Sequence, residues 1–322
     1  MTDAASLDAA SLSVVADIGG TNTRVALAHG DALQIETIRR YRNADHADLE
    51  TVLRQFLSDM GMDRCGGACV ALAGPVRDGV GRMTNLDWEI SEDGLAAATG
   101  ANRVSLLNDL QAQGHALGRI AAENLRAVLP GQPAPDGAAR LVVGLGTGFN
   151  AAPVHDAPGG RIVAPSECGH VTLPARSAEE LRLARHIEEE HEFAAVEDVL
   201  SGRGLAGLHA WHSGQHGLSP ADVMTAIGAG EPLAKETGRI FTGLLGRVMG
   251  DLALIHLPFG GIYLIGGVAR ALAPWFDAFG FEAAFHDKGR FSDFLRAFPV
   301  WLVEDDYAAL QGCAAHLSRI RD

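Results

Sequence analysis

The pattern of apolar and polar positions changes between two periods along the chain. From Val14 to Ala28 the apolar residues form two runs around Gly19-Gly20, which predicts two strands joined by a turn. The stretch "QIETIRRYR" predicts a third strand. The segment "ADLETVLRQFLSDMG" has apolar residues three and four apart, which predicts a helix that stops at Gly61. Its apolar stripe consists of Leu49, Val52, Leu53, Phe56 and Leu57.

Strand and helix patterns continue to alternate further along the chain. "GACVALAGPV" is typical of a buried strand, and Ser91 and Gly100 are placed to begin and end a short helix. "RVSLLNDLQAQGHALG" predicts a strand followed by a helix, and residues 130–139 predict a loop. "GGIYLIGGVAR" predicts a strand, a glycine turn and a helix, so an α/β protein is expected. An amphipathic helix is marked by Phe241, Leu245, Val248, Leu252 and Ile255.

One strand–glycine–strand pattern occurs twice. "RLVVGLGTGFNAAPVH" repeats the order of the opening segment, and Gly20-Thr21 and Gly146-Thr147 lie 126 residues apart. This repeat suggests a duplicated core in which each half supplies one glycine turn. A length of 322 residues also favours two domains over one compact core.

The composition limits the classes of binding partner and the cellular compartment that we expect. The formal net charge is −14 and no run of Lys or Arg is present, so we expect neither a nucleic-acid nor a membrane partner. The four cysteines form no CxxC pair, which fits a reducing cytoplasm without a disulfide framework. The N-terminal "MTDAASLDAASLS" lacks the basic and apolar regions of a signal peptide. We therefore expect a cytoplasmic protein.

The first glycine turn, in "ADIGGTNTRVALA", has the composition of a phosphate-binding loop. Glycines allow successive backbone N–H groups to converge on an anion, and small polar residues add side-chain donors. Asp17, where the first strand enters the turn, could hold a hydrated Mg²⁺. A plain hairpin turn with a buried or capping aspartate is the alternative. The candidate nucleotide-binding residues here are Asp17, Gly19, Gly20, Thr21 and Asn22, with Asp17 as the metal ligand.

Two further glycine turns also follow predicted strands. "GLGTGFN" offers Gly146, Thr147 and Gly148 as a second phosphate loop, and Gly266-Gly267 could accept an adenosine ring against the backbone. The alternative for Gly266-Gly267 is close packing of a helix on a strand. None of the three turns has the GxxxxGK[ST] pattern of a P-loop enzyme. Together the three turns favour a nucleotide site.

Polar residues in three separate segments form a second candidate group. Asn108 and Asp109 end the apolar run in "SLLNDLQ", where a carboxylate could accept a proton from an attacking hydroxyl. Glu167 and His170 lie in "APSECGHVTLP", and Glu197 lies in "FAAVEDVLSGRG". Carboxylates and an imidazole could bind the hydroxyls of a neutral sugar by charge-assisted hydrogen bonds. Helix N-caps and surface charges are the alternatives.

In this order the motifs resemble those of the bacterial glucokinase family, ATP-dependent hexose kinases of the actin-like ATPase superfamily. The resemblance extends from about residue 14 to the C-terminus. It implies a two-domain α/β actin-like ATPase (ribonuclease H-like) fold with a central cleft, and commonly a homodimer. We place a small α/β domain at residues 1–118 plus 305–322 and a large one at residues 119–304. The matching motifs are "DIGGTNTR", "ALAGPV", "MTNLDW", "LLNDL", "GLGTG", "PSECGH", "EDVLSGRGL", "GGIYLIGGV" and "FHDKGRF".

The resemblance also implies the chemistry and the role of each candidate residue. ATP with Mg²⁺ would phosphorylate the 6-hydroxyl of D-glucose, and Asp109 would be the catalytic base. "DIGGTN" and "GLGTG" would be the two phosphate loops, and Gly266-Gly267 would contact adenosine. The residues that would bind the sugar are Asn85, Asn108, Asp109, Glu167, His170 and Glu197.

The sequence departs from the family pattern in three places. The second phosphate loop of the family often continues Gly-Thr-Gly-Leu-Gly, whereas Phe149 and Asn150 follow Gly148 here. The sugar motif of the family often has the sequence Gly-Glu-Gly-Gly-His, and here Ser166 and Cys168 replace two of the glycines. The segment "EDDYAALQGCAAHL" also differs from the usual glycine-rich version. These changes concern nucleotide affinity and hexose preference.

Three other functions are alternatives: a kinase for another hexose or sugar derivative, a catalytically weak sugar-sensing regulator, and an actin- or Hsp70-like ATPase. A regulator would not need Asp109. An actin- or Hsp70-like ATPase would not need the polar group of Asn108, Glu167, His170 and Glu197.

Overall fold

The computed structural model describes residues 9–83 and 86–320. The chain divides into two compact units by its internal contacts. Unit 1 contains Met1–Ile120, Gly159–Val163 and Asp305–Asp322, and unit 2 contains Ala121–Pro158 and Ala164–Glu304.

Strands and helices alternate in both units, as the apolar pattern predicts. Across the described residues, no helix has both the length and the hydropathy needed to cross a bilayer. The strands are β1 Leu12–Ile18, β2 Asn22–His29, β3 Ala32–Leu33, β4 Arg39–Arg42, β5 Gly67–Leu72, β6 Val76–Arg77, β7 Val80–Arg82, β8 Glu89–Ser91, β9 Arg103–Asn108, β10 Leu125–Leu129, β11 Arg140–Leu145, β12 Phe149–Ala157, β13 Gly160–Val163, β14 Ile262–Ile265 and β15 Val300–Val303. The helices are α1 Leu49–Asp59, α2 Glu92–Thr99, α3 Asp109–Ala116, α4 Ala178–His191, α5 Val196–Val199, α6 Gly202–Ser213, α7 Pro220–Ala229, α8 Pro232–His256, α9 Gly267–Leu272, α10 Phe281–His286, α11 Ser292–Leu295 and α12 Ala308–Leu317.

The main sheet of unit 1 has the strand order β3-β2-β1-β5-β9, with β4 also paired to β2. β1 is antiparallel to β2 and parallel to β5, and β5 is parallel to β9. In this register Ile18 pairs with Leu72, and Leu72 pairs with Asn108. The carboxyl ends of the three parallel strands therefore lie side by side at one edge of the sheet.

β1 is buried on both faces because helices cover the sheet on each side. Val14 and Ile18 belong to the apolar core that contains α1, whereas Val15 belongs to the core that contains α12. This alternation is the two-residue period of a strand. The stripe predicted for α1 is confirmed, because each of its five residues is at most 3% exposed. The predicted helix from Ser91 to Gly100 is also confirmed: Ser91 caps α2 and Gly100 ends it in the left-handed region.

Helices α3 and α12 approach each other so closely that one position requires a glycine. A Cβ on Gly312 would lie 1.7 Å from the carbonyl oxygen of Ala112 and 2.6 Å from its carbonyl carbon. Small buried side chains such as Ala309 and Cys313 surround this contact. The contact fixes α3, the helix that begins at Asp109, against the C-terminal helix of the same unit.

The sheet of unit 2 repeats the strand connections of unit 1. Its strand order includes β10-β15-β14-β11-β12, where β11 is antiparallel to β12 and parallel to β14, and β14 is parallel to β15. Strands β12, β11, β14 and β15 thus correspond to β2, β1, β5 and β9. The predicted duplication of the core is confirmed, and each copy has a glycine turn between its two antiparallel strands.

The strand predicted over "QIETIRRYR" is only half correct. Residues Ile35–Thr37 form a 3₁₀ turn, in which the Thr37 hydroxyl donates to Gln34 O at 2.6 Å. The strand β4 begins only at Arg39. The hydroxyl competes locally with the sheet for a backbone acceptor, which explains the interruption.

The apolar stripe predicted for α8 is wrong at its last residue. Phe241 and Leu245 are fully buried, but Ile255 is 69% exposed. The preceding residues of the stripe, Val248 and Leu252, are also buried. Ile255 lies in the last turn of α8, which ends at His256, so the buried stripe stops before the end of the helix.

We expect Gly312→Ala to destabilise the protein, because the added methyl group would overlap the carbonyl oxygen of Ala112 and force α3 and α12 apart. Overpacking of this kind typically lowers the free energy of unfolding by about 1–3 kcal/mol. Urea unfolding of the variant and the wild type measures the difference.

Gly228→Ala in α7 is the matched control. Outside its own helix backbone, no described atom lies within 4 Å of the Cβ position, so the change should be neutral or slightly stabilising. Equal stabilities for Gly312→Ala and the wild type would contradict the close helix contact.

Candidate active site

The first glycine turn joins β1 to β2 and is held in place by Asn43. Gly19 N donates to Asn22 O at 3.0 Å, which closes the turn. Asn43 Nδ2 donates to Gly19 O at 2.8 Å, and Asn43 N donates to Thr21 O at 3.0 Å. The buried Thr23 hydroxyl donates to Asn43 Oδ1 at 2.8 Å. Thr21 is exposed, so the turn is fixed in shape and accessible to a ligand.

Asp17 is a largely buried carboxylate beside this turn, and it forms an ion pair with Arg24. Its side chain is 20% exposed, and its Oδ2 lies 3.5 Å from Arg24 Nη1. Burial raises the pKa of Asp17, and the charge of Arg24 opposes that effect. A bound cation would stabilise the ionised form that burial disfavours.

Mg²⁺ fits this position as an ion held by a single protein carboxylate. In phosphoryl-transfer sites Mg²⁺ usually keeps several waters and takes one or two carboxylates together with substrate phosphates. Within residues 9–83 and 86–320, no three side chains of His, Cys, Asp or Glu converge into a metal cluster. A single carboxylate such as Asp17, beside the first glycine turn, is compatible with this mode of binding.

Asn108 ends β9 and begins the turn into α3. It is the N-cap of α3: its Oδ1 accepts from Leu110 N at 3.0 Å, and Gln111 Oε1 accepts from Asn108 N at 3.1 Å. Asn108 Nδ2 donates to Gly74 O at 3.1 Å. The helix-cap alternative is thus confirmed for Asn108, and its contact with a sugar stays a prediction.

Asp109 is the first residue of α3 and is half-buried. Its Oδ1 accepts from Leu110 N at 2.8 Å, and the backbone dipoles of a helix favour a negative charge at this end. Ile18 ends β1 and Asn108 ends β9, and both pair with Leu72 of β5, which lies between these strands, so Asp109 follows the same edge as the first glycine turn. The candidate base Asp109 and the candidate metal ligand Asp17 therefore lie at the same edge of the sheet.

The second glycine turn joins β11 to β12 in unit 2. Gly146 N donates to Gly148 O at 3.0 Å, and Gly202 N, at the start of α6, donates to Gly146 O at 2.8 Å. Thr147 is exposed at the tip of the turn. A Cβ on Gly146 would have no described atom within 4 Å, so there is open space beside the backbone. An exposed glycine turn next to a helix N-terminus is a favourable place for a phosphate group.

Backbone hydrogen bonds place the segments "SECGH" and "EDVLSG" next to each other. Val196 N donates to Val171 O at 3.0 Å, and Leu173 N donates to Ala194 O at 2.9 Å. The two candidate sugar-binding segments therefore form one surface of unit 2, although about 30 residues separate them in the sequence.

Gly169 brings this surface into contact with the second glycine turn. A Cβ on Gly169 would lie 2.0 Å from Phe149 O and 3.4 Å from Glu197 Cβ, so a larger residue does not fit. Glu167 and His170, on either side of Gly169, have exposed side chains that a ligand can reach. The structure thus brings together Glu167, His170, Glu197 and the second turn.

Both carboxylate oxygens of Glu197 have partners in unit 2. Oε2 accepts from Phe149 N at 2.8 Å, and Oε1 accepts from Arg203 Nη2 at 2.6 Å. The Glu197 side chain is 16% exposed, and a Cβ on Gly148 would lie 2.5 Å from its Oε2. Glu197 therefore fixes the second glycine turn, and its contact with a sugar stays a prediction.

Gly266 packs directly on the second glycine turn. It has a φ of 109°, and a Cβ there would lie 2.2 Å from Leu145 O and 3.2 Å from Gly146 N. Close packing, the alternative considered for this turn, is thus confirmed for Gly266. At Gly267 no described atom lies within 4 Å of the Cβ position, which leaves its surface open for the predicted adenosine contact.

Comparison with known proteins establishes the family. The sequence profile described as Glucokinase matches residues 14–320. The chain belongs to the glucokinase family. A curated glucokinase from Erwinia tasmaniensis is 34% identical over 311 residues, which cover 95% of this chain and 96% of that protein. The resemblance inferred from the motifs is confirmed, and the protein is an enzyme of the glucokinase kind.

Solved structures of glucokinases have the same fold. The crystal structure of a glucokinase from an Antarctic psychrotroph matches with a TM-score of 0.86 and 30% identity, over 96% of this chain and 99% of that chain. A ROK family glucokinase from Streptomyces griseus, in complex with glucose and AMPPNP, matches with a TM-score of 0.63 and 18% identity, over 96% and 99%. The fold is the actin-like ATPase fold that the motifs imply.

Two residues that shape the candidate site are absent from the residues predicted for it. Asn43 was not predicted, because its partner Gly19 lies 24 residues away and no local pattern connects them. Arg203 was also missed, although a cation six residues after a candidate carboxylate is a usable signal. Asn85, a predicted sugar-binding residue, lies outside the described residues.

We expect Gly148→Ala to disturb the second turn, because the new methyl group would overlap Glu197 Oε2 and push the carboxylate away from Phe149 N. The loss of a hydrogen bond to a charged group corresponds to about 1.5–3 kcal/mol of unfolding free energy. Gly146→Ala is the control in the same turn, where the methyl group meets open space. Thermal unfolding should show a lower Tm for Gly148→Ala alone. Equal Tm values for the two variants would contradict the tight contact.

Proposed function

We propose that the protein transfers the γ-phosphoryl group of ATP to the 6-hydroxyl of D-glucose. The observation that carries the proposal is the hydrogen bond of 2.8 Å from Phe149 N to Glu197 Oε2. It joins Glu197, a candidate sugar-binding residue, to the second glycine turn. A sugar and a nucleotide phosphate bound at these two places would be neighbours, as the reaction requires. The glucose and AMPPNP bound to the Streptomyces griseus relative support this pair of substrates.

The proposed reaction makes one bond to the γ-phosphorus and breaks another. The oxygen of the 6-hydroxyl forms a bond to phosphorus, the bond from phosphorus to the β–γ bridging oxygen breaks, and ADP leaves. Asp109 accepts the hydroxyl proton and orients the oxygen for in-line attack. The capped start of α3 holds the Asp109 backbone in place for this role.

The two glycine turns bind the phosphates through their backbone N–H groups. Asp17 would hold Mg²⁺, and the charge of the ion would offset the negative charge of the phosphates. Asn43 fixes Gly19 and Thr21 before any ligand arrives, so the first turn needs little rearrangement during the reaction. Because the transition state spreads negative charge over the phosphoryl oxygens, such preorganised donors contribute much of the catalysis. Gly267 provides the open backbone surface for adenosine.

The sugar hydroxyls are bound by charged and amide side chains. Glu167 and His170 reach the sugar directly, since both are exposed. The other proposed sugar-binding residues are Glu197, Asn108 and Asn85. Hydrogen bonds from hydroxyls to carboxylates are stronger than those between neutral groups, so this composition suits a neutral polyol.

Three further expectations accompany the proposed reaction. We expect the enzyme to act in the cytoplasm and to form a homodimer. We also expect its small domain to comprise residues 1–118 plus 305–322, and its large domain residues 119–304.

Asp109→Asn tests the proposed base, because it keeps the size of the side chain and removes the proton acceptor. We expect kcat to fall by about 10²–10⁴-fold, the usual contribution of a general base, while glucose affinity changes little. A coupled assay of ADP release gives kcat, and calorimetric titration gives the affinity.

The matched control is Asp93→Asn, an exposed position in α2 of the same unit, which should keep wild-type turnover. Wild-type turnover in Asp109→Asn would exclude Asp109 as the base.

A further inference from the structure

The side chain of Asn150, which follows the second glycine turn, has several hydrogen-bond partners in the sugar motif. It is the second residue of β12 and is half-buried. Its amide faces the sugar motif "SECGH", so the second glycine turn continues directly into a side chain that touches the candidate sugar-binding surface.

The two ends of the Asn150 amide have different partners. Oδ1 accepts from Cys168 N at 3.1 Å, from Ser166 Oγ at 3.1 Å and from Ala151 N at 2.8 Å. Nδ2 donates to Ser166 O and, at 3.3 Å, to Glu167 Oε2. Donors thus surround the oxygen and acceptors surround the nitrogen, which fixes the orientation of the amide.

Cys168 adds a further contact to the same oxygen. Its Sγ lies 3.4 Å from Asn150 Oδ1, and burial raises the pKa of the thiol, so the protonated sulfur can donate. Ser166 Oγ has one proton, which it donates either to Asn150 Oδ1 or to Ala151 O, which lies 2.6 Å away. The three residues that differ from the usual glycines, Asn150, Ser166 and Cys168, therefore contact one another as one set.

We infer that Asn150 is a positioning residue for Glu167 and, through it, for the bound sugar. The inference rests on the proposed function, in which Glu167 binds a sugar hydroxyl. With glycine at positions 150, 166 and 168, no side chain would link β12 to the sugar motif. In this chain the Asn150 amide makes that link, because it binds both the backbone of the sugar motif and the carboxylate of Glu167.

Asn150→Asp tests the inference with almost no change in size. The aspartate has no N–H to donate to Ser166 O or Glu167, and it places a second negative charge beside the Glu167 carboxylate. We expect the KM for glucose to rise by about tenfold or more, the usual effect of losing a hydrogen bond to a charged group. The KM for ATP should change less, since the described hydrogen bonds of the Asn150 side chain join it to Ala151 and the sugar motif.

The control is Gln132→Glu, an amide-to-acid change at an exposed loop position of the same unit, for which both KM values should equal those of the wild type. Unchanged KM for glucose in Asn150→Asp, or equal increases in both KM values, would overturn the positioning role. Failure of the wild type to phosphorylate any sugar would instead refute the proposed function, so the two failures are distinguishable.

A second comparison tests the contact set even where Asn150→Asp fails to fold. Asn150→Gly alone should raise the KM for glucose, because it removes the hydrogen bond to Glu167. Combining it with Ser166→Gly and Cys168→Gly should leave the KM raised, since the triple variant still lacks that hydrogen bond. A triple variant with the KM of the wild type would show that Glu167 needs no contact from Asn150, and would overturn the inference.

Discussion

The Glu197 carboxylate is the contact on which the arrangement of unit 2 depends. It accepts one hydrogen bond from the backbone of the second glycine turn and another from Arg203. Because the Glu197 side chain is 16% exposed, its charge-assisted bond to Phe149 N is partly shielded from water, whereas the Arg203 side chain is 64% exposed and its ion pair is a surface contact. The close approaches of Gly148 and Gly169 follow from this contact, because any side chain there would displace the carboxylate or the strand beside it.

Duplication of one strand pattern explains where the remaining candidate residues lie. In each unit a glycine turn joins one strand to an antiparallel partner, and the first strand pairs with a parallel strand on its other side. Ligand sites of open α/β sheets form at the carboxyl ends of parallel strands. Asp109 and the first turn occupy such an edge in unit 1, and the second turn occupies the corresponding edge in unit 2. The same topology thus supplies two phosphate-binding candidates and a base.

Features governed by short-range sequence patterns could be predicted. The α1 stripe, the Ser91 cap and both strand–glycine–strand units are correct because each depends on residues only a few positions apart. The local 3₁₀ turn in "QIETIRRYR" was missed, since a single Thr hydroxyl decided it. The exposed Ile255 shows that apolar spacing alone does not define which face of a helix is buried.

The supporting contacts of the candidate site could not be predicted, because they connect distant residues. Asn43 reaches Gly19 across 24 positions, and Asn150 reaches Ser166 across 16. Asn43 does not stand out in the sequence, since amides are common in loops, and Asn150 stands out only as a departure from the family pattern. The motifs therefore identify which segments carry the chemistry, and only the fold shows which side chains hold them in place.

Sugar-dependent ADP release tests the central claim most directly. Purified protein is supplied with ATP and a panel of hexoses, with and without Mg²⁺, and ADP is measured by a coupled assay. We expect rapid release only when both glucose and Mg²⁺ are present, and slower release with the other hexoses. Equal release without any sugar would indicate an actin- or Hsp70-like ATPase, and no release with any hexose would indicate a sugar-binding regulator. Either result would contradict a glucose kinase.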